Sequence, residues 1–421
     1  MTLTSDLRKL NEHKIIDLIS VKGSSTKTEL AEDTGLTIVT VNKVVNSLVE
    51  QGIVVENGIF QTHVGKKAVL YEINKNNNYI LGLSVNANEI VLAISPLNLH
   101  TIHHTKTKID NTISPEDFIE IIKNMIESSI DSTGLNLKQF VGIGVSLPGI
   151  IEYDSGNIKK LISMPNLHGF SLSNALSQEY NLPVFLEKDN YAAMLDLKRK
   201  YALNNENAVL LSIGQGLGCG VILDGEIYTG NNGLAGELGH ITVVPGGLPC
   251  KCGNDGCLEM YLSNSAVIRE IYDRINIGDD CVLKNLTDKV LTINDVLLGL
   301  KLDDKVCAEA VSHANDYFKT TINIITKSYD VSRVFIVCPW LSNSTKGAEY
   351  LNSFLNDRLY HMDTNTNINI TLISDDRLYI DGIIALVYYN VINNIANNKL
   401  LKRGIHKTKD EIIKHAMAVS R

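Results

Sequence analysis

The apolar positions of the first fifty residues recur at helical spacing. Over residues 5–21, Leu7, Leu10, Ile15, Leu18 and Ile19 fall on one stripe, and Lys22-Gly23-Ser24-Ser25 ends it. A short helix over 27–33 carries Leu30 and Ala31 toward a core. Thr34-Gly35-Leu36 then makes a tight turn in which glycine can take the positive φ required. Thr37 stands where it can cap a third helix, with Val41, Val44, Val45, Leu48 and Val49 on one face. After Gly52, residues 53–55 and 69–73 read as strands around a loop that holds His63, Lys66 and Lys67. Helix, helix, glycine turn, helix and hairpin make the pattern of a winged helix-turn-helix.

Residues 74–78 are polar and form a short linker, which predicts a domain over 1–75 close-coupled to a second over 76–421. In the second domain, 79–94 reads as a hairpin and 115–132 has a helical period through Phe118, Ile121, Ile122, Met125 and Ile126. Residues 141–145, 184–187, 209–213, 220–223 and 334–338 read as strands. Alternation of this kind predicts an α/β fold.

The third helix of the first domain would enter the major groove of DNA. Its outward residues Thr37, Ile38, Thr40, Asn42 and Lys43 could reach base edges or phosphates, while Lys66 and Lys67 of the wing would hold the backbone. Charge limits how this can work. The chain of 421 residues carries a net charge of −8, and residues 1–75 hold nine Lys plus Arg against nine Asp plus Glu. Binding must therefore come from charge distribution, not net charge. On pattern alone, a small three-helix interaction domain fits as well.

Four soft ligands lie within eighteen residues: His240, Cys250, Cys252 and Cys257. One imidazole and three thiolates suit the closed tetrahedron of Zn2+, and Gly253 and Gly256 allow the tight turns that Cys-x-Cys needs. Seven cysteines, three of them in this cluster, fit a reducing compartment better than a disulfide framework. The polar start MTLTSDLRKLNEHK is unlike a signal peptide, and no apolar run reaches the ~20 residues that span a bilayer. The expected location is the cytoplasm.

Gly-Glu-x-Gly-His followed by Cys-x-Cys-Gly-x-x-Gly-Cys-x-Glu resembles the ROK family, a group of sugar repressors, open reading frames and sugar kinases. The resemblance extends to Gly214-Gln-Gly-Leu-Gly-Cys-Gly220, Asp224-Gly225, Gly233-Leu-Ala-Gly236, Gly142-Ile-Gly-Val-Ser-Leu-Pro148-Gly149 and Glu187-Lys-Asp-Asn190. It implies two actin-like lobes of the sugar-kinase and heat-shock-ATPase type, with ligand between them. It also implies a structural zinc on His240, Cys250, Cys252 and Cys257. Sugar contacts would come from Asn166, Asp189, Glu237, His240 and Glu259, with Asp189 in the place of the kinases' general base. Lys188 departs from the pattern, since the family usually has Asn there.

The nucleotide half departs further. Residues 81–89 lack the acidic residue and paired glycines of the kinases' first phosphate turn. Gln215 stands where the kinases have Thr, and Cys338-Pro339-Trp340 replaces the late glycine pair. A helix-turn-helix joined to a ROK domain is the arrangement of the family's repressors, the xylose-repressor branch among them. The resemblance therefore implies a sugar-responsive repressor of operator DNA, acting as a homodimer or a dimer of dimers and without enzymatic activity. The rivals are a sugar kinase with a DNA-binding head, and a DNA-binding regulator whose sugar pocket is vestigial.

Overall fold

The helical residues 14–20 bury Ile15 and Ile19 as their spacing predicts and Ile16 besides, while Leu18 is only half-buried and Leu7 and Leu10 lie outside the described residues. Helix α1 (Lys27–Thr34) starts at Thr26, whose side chain and that of Glu29 form a reciprocal capping box, and it stops at Gly35 with φ 69°. Helix α2 (Ile38–Glu50) is capped by Thr37 and buries Val41, Val44, Val45 and Leu48. A three-stranded antiparallel sheet completes the module: β1 (Ser25–Thr26), β2 (Val54–Gln61) and β3 (Lys67–Ile73), in the order β1-β3-β2. The two-residue strand β1 has no hydrophobic pattern of its own and was not expected.

The computed structural model describes residues 11–12, 14–20, 22–61, 67–74, 76, 78–153, 155–286, 289–343 and 368–392. The tip of the wing with His63 and Lys66, the start of the first predicted helix and the basic run 399–409 lie outside the described residues. The chain divides into two compact units, Met1–Asp196 with Arg377–Arg421, and Leu197–Asp376.

In the first unit, β4 (Tyr79–Val85), β5 (Glu89–Pro96) and β6 (His103–Lys108) form an antiparallel meander. Strands β7 (Phe140–Leu147) and β10 (Val184–Lys188) extend it in parallel, giving the order β10-β7-β4-β5-β6. The short hairpin β8 (Ile150–Glu152) and β9 (Asn157–Lys160) follows β7. Helix α3 (Pro115–Thr133) buries Phe118, Ile122, Met125 and Ile126, while α4 (Leu172–Tyr180) precedes β10 and α5 (Asp189–Lys200) leaves it.

The second unit repeats this plan. Strands β11 (Ala208–Ile213), β12 (Leu217–Leu223) and β13 (Glu226–Ile227) make the meander, and β14 (Arg333–Val337) and β15 (Asn369–Leu372) add in parallel, in the order β13-β12-β11-β14-β15. Its core gathers Val209, Leu211, Phe318, Ile322, Val334 and Ile336 from the sheet and from helix α8 (Lys305–Tyr329), with α6 (Asn264–Asn276) and α7 (Ile293–Lys301) nearby in sequence. Trp340 is fully buried in this core and donates from Nε1 to Asn315 Oδ1 at 3.2 Å, which makes it a packing residue.

Candidate functional site

The N-terminus of α2 is built for presentation. The Thr37 hydroxyl accepts the backbone N–H of Thr40 at 3.3 Å and lies 2.9 Å from the Thr40 hydroxyl, so both threonines are engaged in holding the helix start. Ile38, Asn42 and Lys43 are exposed, as predicted, and Lys67 is exposed at the start of β3. Val39 was missed: it stands between Ile38 and Thr40 and is also exposed. Its signal in the sequence was a β-branched residue that falls outside the buried stripe of Val41, Val44, Val45 and Leu48.

The four soft ligands converge as their spacing suggests. The nitrogen of His240 and the sulfurs of Cys250, Cys252 and Cys257 all lie within 4.8 Å of one another. Cys250 Sγ is 3.6 Å from His240 Nδ1, and Cys252 Sγ is 3.6 Å from Cys257 Sγ. A tetrahedron with Zn–S bonds of about 2.3 Å has edges of roughly 3.7 Å, so the spacing fits a four-coordinate ion. The loop is pinned without the cluster's help: Cys250 N–H donates to Asn254 O at 2.8 Å, Gly256 N–H to Leu248 O at 2.8 Å and Val243 N–H to Gly256 O at 2.9 Å.

Burial pushes the Cys257 thiol up to about 12, helped by its two thiol neighbours, and burial also raises Cys250. At Cys252 burial acts upward too, but the Asn254 backbone N–H and the other thiols outweigh it and leave it below its ordinary value. The protein alone thus disfavours three thiolates side by side, and a dication is the group that makes them compatible. These residues fit a structural metal.

A second group, Cys281, Asp304 and Cys307, also offers ligand atoms within 4.8 Å. Its chemistry is different. Asp304 caps α8, with Oδ1 accepting Cys307 N–H and Oδ2 accepting Val282 N–H, each at 2.8 Å. That carboxylate is spent on backbone donors, and burial raises both thiols.

Of the residues assigned to sugar, Glu237, His240 and Glu259 belong to the second unit. His240 Nε2 is 4.0 Å from Glu237 Oε2, on the side of the ring away from the cysteines. Glu259 Oε2 accepts the backbone N–H of Leu217 at 2.9 Å, in the turn between β11 and β12. A Cβ on Gly216 would sit 2.5 Å from Glu259 Oε2, so a larger residue there would displace this carboxylate. The same turn is tied by Asn264 N–H to Gly214 O at 2.8 Å and by the Ser265 hydroxyl to Gln215 O at 2.7 Å. Ser265 was not anticipated, because fifty residues separate it from its partner.

Asn166 and Asp189 belong to the first unit. Asn166 is exposed and donates from Nδ2 to Thr112 O at 2.6 Å. Asp189 opens α5 at the carboxyl end of β10, and its Oδ1 accepts both the backbone and side-chain N–H of Asn190 at 2.7 and 2.9 Å. Lys188, the departure from the pattern, is buried with Nζ 4.9 Å from the centre of the Tyr191 ring, a cation–π contact within its own unit. Beside it, the buried Glu187 accepts the hydroxyl of Tyr153 at 2.5 Å and the Lys188 N–H at 2.8 Å. Tyr153 was likewise not foreseen.

Known proteins share this combination of modules. The ROK family model matches residues 80–377, and a winged helix-turn-helix DNA-binding model matches residues 8–55. The xylose repressor of Bacillus subtilis (strain 168) is 27% identical over 333 residues, which span 78% of this chain and 82% of that protein. The DNA-binding transcriptional dual regulator NagC of Escherichia coli (strain K12) is 25% identical over 342 residues, 78% of this chain and 80% of NagC. Among solved structures, a ROK family transcriptional regulator described as a homolog of the E. coli MLC protein matches with a TM-score of 0.74 at 22% identity, over 94% of this chain and 99% of that one. A ROK family glucokinase from Streptomyces griseus, in complex with glucose and AMPPNP, matches with a TM-score of 0.62 at 19% identity, over 73% of this chain and 98% of that one. The chain therefore belongs to the ROK family, and carries a winged helix-turn-helix ahead of its ROK domain.

Proposed function

We propose that the chain is a transcriptional repressor whose affinity for operator DNA is modulated by a sugar or sugar derivative. The observation that carries this reading is the union, in one chain, of a capped and exposed recognition helix with a ROK domain. A relative named as a xylose repressor and another named as a transcriptional dual regulator, each matched over most of its own length, support it. The boundary is placed between residues 75 and 76, so that 1–75 binds DNA and 76–421 receives the effector. Thr37, Ile38, Thr40, Asn42 and Lys43 approach the major groove, with Lys66 and Lys67 on the phosphates. A homodimer would set two such helices in successive grooves of a palindromic site.

His240, Cys250, Cys252 and Cys257 hold Zn2+, which with four protein ligands has no open position and serves structure. The Zn2+ side of the His240 ring is Nδ1, and Nε2 then faces Glu237 and the sugar. Sugar contacts are assigned to Asn166 and Asp189 in the first unit and to Glu237, His240 and Glu259 in the second, because carboxylate, amide and imidazole each match vicinal hydroxyls. No catalytic residue is assigned. The Leu217 N–H that could meet a phosphate is taken by Glu259, and the residues at 85–87 carry side chains where a phosphate turn needs bare backbone. Seven thiols outside any disulfide suit the cytoplasm.

The test is fluorescence anisotropy of a labelled fragment from the gene's own upstream region, titrated with protein at fixed salt and repeated with pentoses, hexoses and amino sugars. Specific binding weakened by one sugar is the expected result. Specific binding indifferent to every sugar would instead indicate a vestigial pocket or a protein effector. The retained Asp189 favours one other reading, a kinase. ATP-dependent phosphorylation of a sugar, lost in Asp189→Asn, would establish it in place of ours.

A further inference from the structure

The start of the recognition helix holds two side chains that the fold itself does not use. Ile38 is 44% exposed and Val39 60% exposed, while every other apolar residue of the helix's first two turns is buried. β-branched residues are poor helix formers, and Val39 in particular gains little there from packing. They are nevertheless held in a fixed place, because the Thr37 cap and the Gly35 turn define the first turn of α2.

We propose that Val39, together with Ile38, reads the C5-methyl groups of thymine in the major groove of the operator. This rests on the operator-binding reading and specifies what the helix recognises. The N-terminal residues of a recognition helix are those that meet base edges. On those edges the one protruding apolar group is the methyl of thymine, beside hydrogen-bond donors and acceptors. The exposed polar residues beside Val39 complete a consistent set. Asn42 matches the N6 and N7 edge of adenine; α2 contains no arginine, and its one basic side chain, Lys43, is the group there that could meet a guanine edge or a phosphate.

The test replaces thymine by uracil, which removes the methyl and leaves every hydrogen-bonding group in place. A footprint on the upstream fragment defines the site, and duplexes with single T-to-U changes are titrated by anisotropy with the full chain. At one or two positions under the helix, each uracil should weaken binding about fourfold, the worth of one buried methyl-sized group. The factor should be equal at low and moderate salt, because no charge changes. Val39→Ala should bind the thymine site about fourfold more weakly and lose its sensitivity to uracil at the matching position. Its melting temperature should not fall, since the side chain is exposed and alanine is the better helix former.

A Val39→Ala protein that still discriminates uracil as the wild type does, or a site indifferent to uracil throughout, would overturn the proposal while leaving operator binding intact. No specific binding to the fragment over competitor DNA would overturn the operator reading itself, and this proposal with it.

Discussion

The His240 ring turns Nδ1 toward the Cys250 thiol at 3.6 Å and Nε2 toward Glu237 at 4.0 Å, so the metal and sugar assignments share one side chain. Fixing one nitrogen fixes what the other can offer, a donor or an acceptor, and with it the way a hydroxyl is met. Cys252 is the ligand through which this can be probed, because it is the least buried of the three cysteines. Cys252→Ser removes a thiolate and leaves the Asn254 and Gly256 backbone bonds of the loop in place. The expected loss of zinc affinity exceeds the roughly 10–100-fold that changes outside the ligand set produce. Metal analysis after dialysis should show a substoichiometric ion, and the second unit should melt at lower temperature. Operator binding should persist but no longer respond to sugar. Unchanged zinc content with unchanged sugar response would remove the metal from the coupling.

Helix α7 shows the same logic one level up, where a single side chain decides whether an element starts. Asp295 reaches back to Thr292, accepting its backbone N–H at 2.8 Å, and also accepts Lys289 Nζ at 2.9 Å. Lys289 first, then the Thr292 donors, hold this carboxyl down at about 2. A folded value below the unfolded one adds stability that is complete above about pH 4 and is lost as pH falls toward 2. Asp295→Asn should therefore destabilise the second unit by about 1–2 kcal/mol at neutral pH, a range set by cap losses and discounted for the exposed lysine. Denaturation curves at pH 7 and pH 3 check the sign, because the gap between variant and wild type must narrow at the lower pH.

Elements of this kind were legible when they carried a one-sided pattern. The stripe of α2, with Val41, Val44, Val45 and Leu48 buried, is an example. The helix Leu378–Ile392 has no stripe, because Ile380, Ile383, Ile384, Leu386, Val387 and Tyr388 are all buried. It lies so close to the first sheet that a Cβ on Gly144 would be 2.7 Å from Val387 Cγ2. Strand β6 was hidden for the opposite reason, since its residues His-His-Thr-Lys-Thr-Lys alternate in exposure with no apolar member. The metal cluster was readable because its four ligands are near neighbours in the chain. The Ser265 anchor of Gln215 and the Tyr153 clamp on Glu187 join distant segments, so only the fold brings them together.

At the scale of the molecule, each unit carries a five-stranded sheet of the same order, a three-stranded meander extended by two parallel strands. Modulation of operator binding by a sugar held in the ROK domain is a coupling between separate sites. Such coupling has a thermodynamic signature that needs no structural detail. If sugar weakens operator binding by a factor, operator must weaken sugar binding by the same factor, because both describe one closed cycle. A coupling of ~1–3 kcal/mol corresponds to roughly 5–150-fold in each direction. Calorimetric titration of the inducing sugar, into free protein and into protein saturated with operator duplex, measures one leg. Anisotropy of the duplex with and without sugar measures the other. Equal factors within that range are expected. Sugar that binds with the same affinity whether or not operator is present would show that it does not distinguish the two states, and the effector role would then pass to another ligand.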